Sequence, residues 1–310
     1  MNRLLFSALL ILSPVLVAGF DLSVLAALVL ILLLLAWRQA LVLAPLTGKP
    51  KGPELELETI LPSHFVEKVR WSMDRLGIDY VERPWVGVIG AFFRGRTVPM
   101  LHVQTDRSRS SIGESTDILR YLYGRYAGVP EVDAAFLEPT EERLQWERRL
   151  DRFGVDQQVW AYHHLLDDPA LCKQVWGLQS ERLPGWQRLT GKLWYPVLEI
   201  FIRRAFNPDP HHTQRAVERI EALLQETESL LADGRTALLG GEATDFVDLT
   251  LASLCTPWAQ PDAFAAGAYP EVRIDPARVP PKMRADMDRW RDTYPLTTAH
   301  IERLYREERS

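Results

Sequence analysis

The stretch Leu61-Pro62-Ser63-His64-Phe65-Val66-Glu67-Lys68-Val69-Arg70-Trp71 decides how the chain folds. Residues 55–60 before it read as a short strand. After it, Phe65, Val69, Met73 and Leu76 recur at helical spacing, which predicts a helix with one apolar face, ended by Gly77. Ser63 therefore stands at a strand-to-helix corner, where free backbone N–H groups and the positive end of the helix dipole favour an anion. Serine is also a preferred N-cap whatever the function. Taken alone, the stretch leaves capping and anion binding both open.

Downstream, residues 78–83 form a second strand candidate that ends at Pro84. Residues 85–96 have no clear period and read as a loop with at most a short helix. Residues 97–103 are strand-like but contain Pro99, which removes a ladder donor. An edge strand would tolerate that. A cis peptide at Val98-Pro99 is the other explanation, and it would leave the Val98 backbone free to pair with an extended ligand. Residues 107–112 are a weaker, polar strand. A helix then opens at Gly113-Glu114-Ser115-Thr116. The Ser115 hydroxyl and its neighbouring N–H groups suit a carboxylate, and Glu114 suits an ammonium group. Together they fit the α-amino-acid end of a peptide, although an ordinary helix cap explains them equally well.

In this order and at this spacing, Ser63-His64-Phe65, Thr97-Val98-Pro99 and Glu114-Ser115 resemble the glutathione-site signposts of bacterial-type glutathione S-transferases. The resemblance implies an α+β fold: a thioredoxin-like βαβ-ββα domain over residues 54–126, then an all-α C-terminal domain over residues 127–310. It implies that Pro99 is cis and that Val98 pairs with the cysteinyl backbone of glutathione. Glu114 and Ser115 would hold the γ-glutamyl end, and Ser63 would stand beside the sulfur. Neither Ser63 nor Val66 is cysteine, which counts against glutaredoxin-like disulfide exchange.

The second half is rich in helix formers. Residues 174–204 gather Trp176, Trp186, Trp194, Tyr195 and Phe201, an aromatic belt that suits core packing, a substrate wall or membrane contact. Pro208-Asp209-Pro210 breaks the helical pattern. Residues 213–232 form an amphipathic helix through Val217, Ile220, Leu224 and Leu231. Asp245 and Asp248 then fit a capping box opening a buried helix, and the closing helical stretch is interrupted near Pro295. The same run resembles the C-terminal domain of the transferases, which more often carry Ser or Thr at that cap. The resemblance extends from about Leu55 to the C-terminus.

Residues 1–46 are a separate object: two apolar runs, 4–20 and 22–37, flank Gly19-Phe20-Asp21. Arg3 precedes the first run, and Arg38, Lys49 and Lys51 follow the second. Both ends therefore match the positive-inside rule, and a membrane hairpin is expected with the soluble domains facing the cytoplasm. A cleaved signal peptide and one long tilted or interfacial helix are the alternatives. Residues 47–53 read as a linker.

Across its 310 residues the chain has a net charge of −5, with Lys and Arg interleaved among acids, so no basic stripe for nucleic acid emerges. Cys172 and Cys255 are far apart and form no CxxC, which argues for free thiols and against a zinc site. The pairs His163-His164 and His211-His212 point to different helix faces and lack suitable co-ligands, so no metal is expected.

The reading favoured by the resemblance is conjugation of the glutathione thiolate, with Ser63 as hydrogen-bond donor, to a small hydrophobic electrophile. A non-catalytic, membrane-tethered binding or scaffold protein of the same fold is the alternative, and a membrane-inserting pore of the chloride-channel-like branch is a third. The resemblance also implies a homodimer.

Overall fold

The computed structural model describes residues 24–43, 54–86, 98–105 and 108–309. It begins with α1 (Val24–Leu43). The sheet domain follows with β1 (Leu55–Thr59), α2 (His64–Arg75), β2 (Val81–Pro84), β3 (Met100–Gln104), β4 (Arg109–Gly113) and α3 (Ser115–Tyr126). The helical part comprises α4 (Glu141–Leu165), α5 (Pro169–Val175), α6 (Gly185–Leu193), α7 (Tyr195–Phe206), α8 (Pro210–Leu231) and α9 (Phe246–Leu254). Short α10 (Thr256–Ala259), then α11 (Pro281–Thr293) and α12 (Pro295–Glu307), complete it.

The four strands lie in the order β2-β1-β3-β4. β1 runs parallel to β2 and antiparallel to β3, and β3 runs antiparallel to β4. Because strand side chains alternate faces, Leu55 and Leu57 of β1 join Leu101 and Val103 of β3 on one side. There they pack with Val69 and Met73 of α2 and Ile118, Leu119 and Leu122 of α3. This is the expected thioredoxin-like sheet followed by a helical domain.

Two local expectations change. β3 is a central strand, so the edge-strand explanation of Pro99 fails; the strand starts one residue later, at Met100, and the proline costs the ladder nothing. Pro84 belongs to β2, which is an edge strand and tolerates it. Residues 87–97, which include most of the expected loop, lie outside the described residues.

The apolar stripe is not the only buried side of α2. Glu67, Lys68 and Arg70 are as buried as Val66 and Val69, because the helical part covers that face. Glu67 accepts from Arg309 Nε (2.8 Å) and from the Ala265 N–H (2.9 Å). Lys68 donates to Glu147 (2.8 Å). The capping box of α9 forms as expected: Asp245 accepts from the Val247 N–H, and Asp248 accepts from the Asp245 N–H. Asp248 also receives the Leu238 N–H at 2.8 Å and lies 2.9 Å from His300 Nε2, which ties the Leu238 loop and α12 to this cap.

The expected membrane hairpin gains no support. Its first run and turn lie outside the described residues. The second run forms α1, and among the described residues no helix is long and apolar enough to cross a membrane. Within α1, Arg38 and Gln39 interrupt the apolar sequence. The uninterrupted part, residues 24–37, spans roughly 21 Å at ~1.5 Å per residue, against ~30 Å of hydrocarbon. Leu34 and Trp37 instead pack against the core cluster that holds Val86, Leu178, Tyr195 and Leu198.

Candidate functional site

The corner between β1 and α2 opens into a cavity of about 830 Å³. Ser63, Val98, Pro99, Glu114 and Ser115 all line it. Sequence positions as far apart as Ser63 and Ser115 thus line one cavity, because β3 brings the Val98-Pro99 turn beside β1 and β4 delivers α3 next to it.

Ser63 is the N-cap of α2, with extended backbone, and its Oγ accepts the Val66 N–H at 3.3 Å. The cap uses only an acceptor lone pair, so the hydroxyl proton stays available to a group in the cavity. Both readings of this serine are therefore compatible with its geometry. The Val98-Pro99 peptide is cis. Glu114 has φ 66° and ψ 132°, a backbone region that favours glycine, and its side chain does not cap α3. Holding a glutamate there costs about 1–3 kcal/mol, and such strain concentrates at ligand sites. Ser115 is the first residue of α3 and is buried.

Much of the remaining lining is apolar. It includes Phe65 of α2, Tyr162 and Leu165 of α4, Leu198, Ile202 and Phe206 of α7, and Phe264 and Met283 further on. α4 approaches α2 closely at Gly154, where a methyl group would meet Phe65 Cζ at 2.6 Å. Of the aromatic belt, Trp176 also lines the cavity.

Several residues here had no sequence signal strong enough to single them out. His64 is buried, and its Nε2 lies 3.1 Å from the Gly154 carbonyl oxygen. Burial lowers its pKa to about 4, with the carbonyl contact opposing that shift, so at neutral pH the ring is uncharged and donates to Gly154. The stability this confers is complete above the unfolded pKa of about 6.5 and is lost as pH falls through that value toward about 4. A urea midpoint measured at pH 7 and pH 4.5 should drop more in the wild type than in His64→Gln, which does not titrate. Equal drops would assign the acid sensitivity elsewhere. Beside the cavity, Lys68 donates to Glu147 (2.8 Å) and to Asp151 (3.4 Å), and the Thr116 hydroxyl donates to Asp151 (3.0 Å). Thr116 and Asp151 both line the cavity, so this buried charge cluster links the polar wall to α4.

The cysteines contribute no nucleophile. Both are buried; burial pushes the Cys172 thiol up to about 12 and raises Cys255 as well. One histidine of each pair has a backbone contact: His163 Nδ1 lies 2.9 Å from the Pro208 carbonyl, and His212 Nδ1 lies 2.9 Å from that of Asn207. A different group, Glu56, Glu58 and His102, does bring its potential ligand atoms close enough together to hold a metal ion. The period of two puts both glutamates on one face of β1, and His102 is opposite Glu56 in register. Glu56 is already bound by Arg83 (2.6 Å) and Arg109 (3.0 Å), and His102 sits between Glu58 (3.2 Å) and Ser111 (2.7 Å). Those contacts describe an ion-pair network on the sheet.

A β2-β1-β3-β4 sheet backed by two helices, a cis proline before its third strand and a following helical half define a thioredoxin-like domain joined to an all-α domain. Residues 57–130 match the family model described as "Glutathione S-transferase, N-terminal domain", so this part of the chain is such a domain. Among solved structures, the chain is similar to a glutathione S-transferase from Methylobacterium radiotolerans in complex with glutathione sulfonate. That match has 18% identity and a TM-score of 0.44, covering 82% of this chain and 91% of the other. It is also similar to one from Ceriporiopsis subvermispora in complex with glutathione, at 16% identity and TM-score 0.46, covering 83% and 98%. A third is FzlA from C. crescentus, at 17% identity and TM-score 0.41, covering 82% and 92%. No curated protein matches the chain in sequence.

Proposed function

We propose that the cavity binds glutathione and presents its thiolate to a small hydrophobic electrophile. One observation carries this reading: Ser63, the cis Val98-Pro99 turn and the Glu114-Ser115 corner line the same cavity, and much of its remaining lining is apolar. In this arrangement Glu114 accepts from the γ-glutamyl ammonium, and Ser115 and the first N–H groups of α3 bind its carboxylate. The Val98 backbone pairs with the cysteinyl unit. The sulfur then lies at the N-terminus of α2, where the Ser63 hydroxyl and the helix dipole stabilise negative charge. The thiol gives its proton to water and the new C–S bond forms. The displaced group leaves with the electron pair of the bond that breaks. Bringing both reactants into one cavity supplies much of the acceleration.

The capping bond from Val66 to Ser63 supports a second reading, in which the site binds glutathione without turnover. Calorimetric titration of the full chain with glutathione, alongside a thiol-conjugation assay, separates the two. Glu114→Ala should weaken glutathione binding by about 10- to 100-fold, corresponding to loss of a hydrogen bond to a charged group worth about 1.5–3 kcal/mol. A wild-type protein that takes up no glutathione would sink both readings. Binding without conjugation of any electrophile tested would leave the second.

A further inference from the structure

We infer that the outer surface of α6 and α7, beside α1, docks against a phospholipid bilayer carrying anionic headgroups. Trp194 ends α6 and opens α7, so the two helices form one continuous bent element. Its inner side is fixed: Tyr195 and Leu198 are buried in the core cluster, and Tyr195 packs on Trp176 with ring centroids 5.5 Å apart. Its outer side is apolar and bare. Leu189 and Leu193 are 62% and 65% exposed, and Ile200 and Phe201 are each 57% exposed. Leu189 and Leu193 are four residues apart on α6, and Val197, Ile200 and Phe201 follow helical spacing on α7, so each helix presents a stripe. Isolated exposed leucines are ordinary, but a contiguous stripe of this kind marks a contact surface.

The charges identify the occupant. Arg188, Lys192 and Arg204 flank the stripe, and among the described residues none of them has a carboxylate within ion-pair distance. Glu199, the one acid on the two helices, is held by Arg203 at 2.9 Å. A bare apolar stripe bordered by unpaired cations is the pattern of helices that lie in the headgroup region, with their apolar side in the acyl boundary. The neighbouring element agrees. α1 exposes Leu28, Ile31, Leu32 and Leu33, and it leans through Leu34 and Trp37 on the same cluster that supports Tyr195 and Leu198. Both elements thus pack on one core cluster. The opposite side of α7 supplies Leu198, Ile202 and Phe206 to the cavity, so the same helix would stand between the lipid and the pocket.

Because Cys172 and Cys255 are buried, an engineered surface cysteine can be labelled selectively. The test uses the full chain with Phe201→Cys carrying an environment-sensitive fluorophore, and Glu302→Cys on α12 as the control. Both are mixed with phosphatidylcholine vesicles containing phosphatidylglycerol. The label at 201 should shift to the blue and be quenched by lipids bearing a shallow nitroxide, while the label at 302 should not respond. Lys192→Glu with Arg204→Glu should reduce the response at 201 with unchanged circular dichroism. Emission at 201 that ignores the vesicles overturns the proposal. So does a blue shift that appears without lipid and tracks self-association, since a second copy of the chain would then cover this face.

Discussion

Lys68→Met is expected to destabilise the protein by about 3–5 kcal/mol, the usual cost of removing one partner from a buried ion pair. Lys68 and Glu147 are both essentially without solvent contact, and the 2.8 Å bond between them joins α2 to α4. Methionine fills nearly the same volume, so packing changes little. What changes is that Glu147 keeps only Arg120, at 3.2 Å, and Asp151 loses a donor on the cavity wall. Urea denaturation of the single variant should show a lower midpoint. The pair Lys68→Met with Glu147→Leu should recover most of the loss, because removing both charges also removes their desolvation cost. A single variant within about 1 kcal/mol of wild type would mean that Arg120 and water already satisfy Glu147.

That ion pair also shows where sequence reasoning stops. The turn at Leu61-Pro62-Ser63, the apolar face of α2 and the capping box at Asp245 depend on residues a few positions apart, and local patterns register them. The partners of the polar face of α2 lie 79 residues away for Glu147 and 242 for Arg309. In a sequence window, Glu67, Lys68 and Arg70 look like a solvated side, and only tertiary packing converts them into a buried network. Glu114 illustrates a different limit. Its chemistry suits an ammonium group, but glutamate carries no signal for positive φ, so the strained corner it occupies is invisible before folding. Pro99 was legible because its cost to a strand demanded an explanation; which strand it bordered, and that the strand was central, required the sheet order. The apolar run in α1 shows a related limit. Hydropathy alone does not distinguish lipid from the Tyr195–Leu198 cluster as the partner of Leu34 and Trp37.

Ser63 is where local pattern and chemistry are hardest to separate, and two substitutions divide them. Ser63→Ala removes both the cap and the hydroxyl, so stability should fall by about 1 kcal/mol. Conjugation should fall by about 10²–10³-fold if the hydroxyl stabilises the thiolate as a preorganised donor stabilises an oxyanion. Ser63→Gly loses only a few tenths of a kcal/mol of capping, since glycine is tolerated at that position, yet it lacks the hydroxyl entirely. It should therefore melt close to the wild type while showing the same rate loss as alanine. The pH–rate profile gives a second axis. A free thiol titrates near about 8.5, and donation by Ser63 should bring the bound thiol below that, so both variants should move the rising limb back upward. Unchanged glutathione affinity in both would place the loss in the charge on sulfur. If Ser63→Gly instead conjugates as fast as the wild type with the same pH profile, the Val66 bond is the whole role of this serine. Thiolate stabilisation would then fall to the N–H groups of α2 alone.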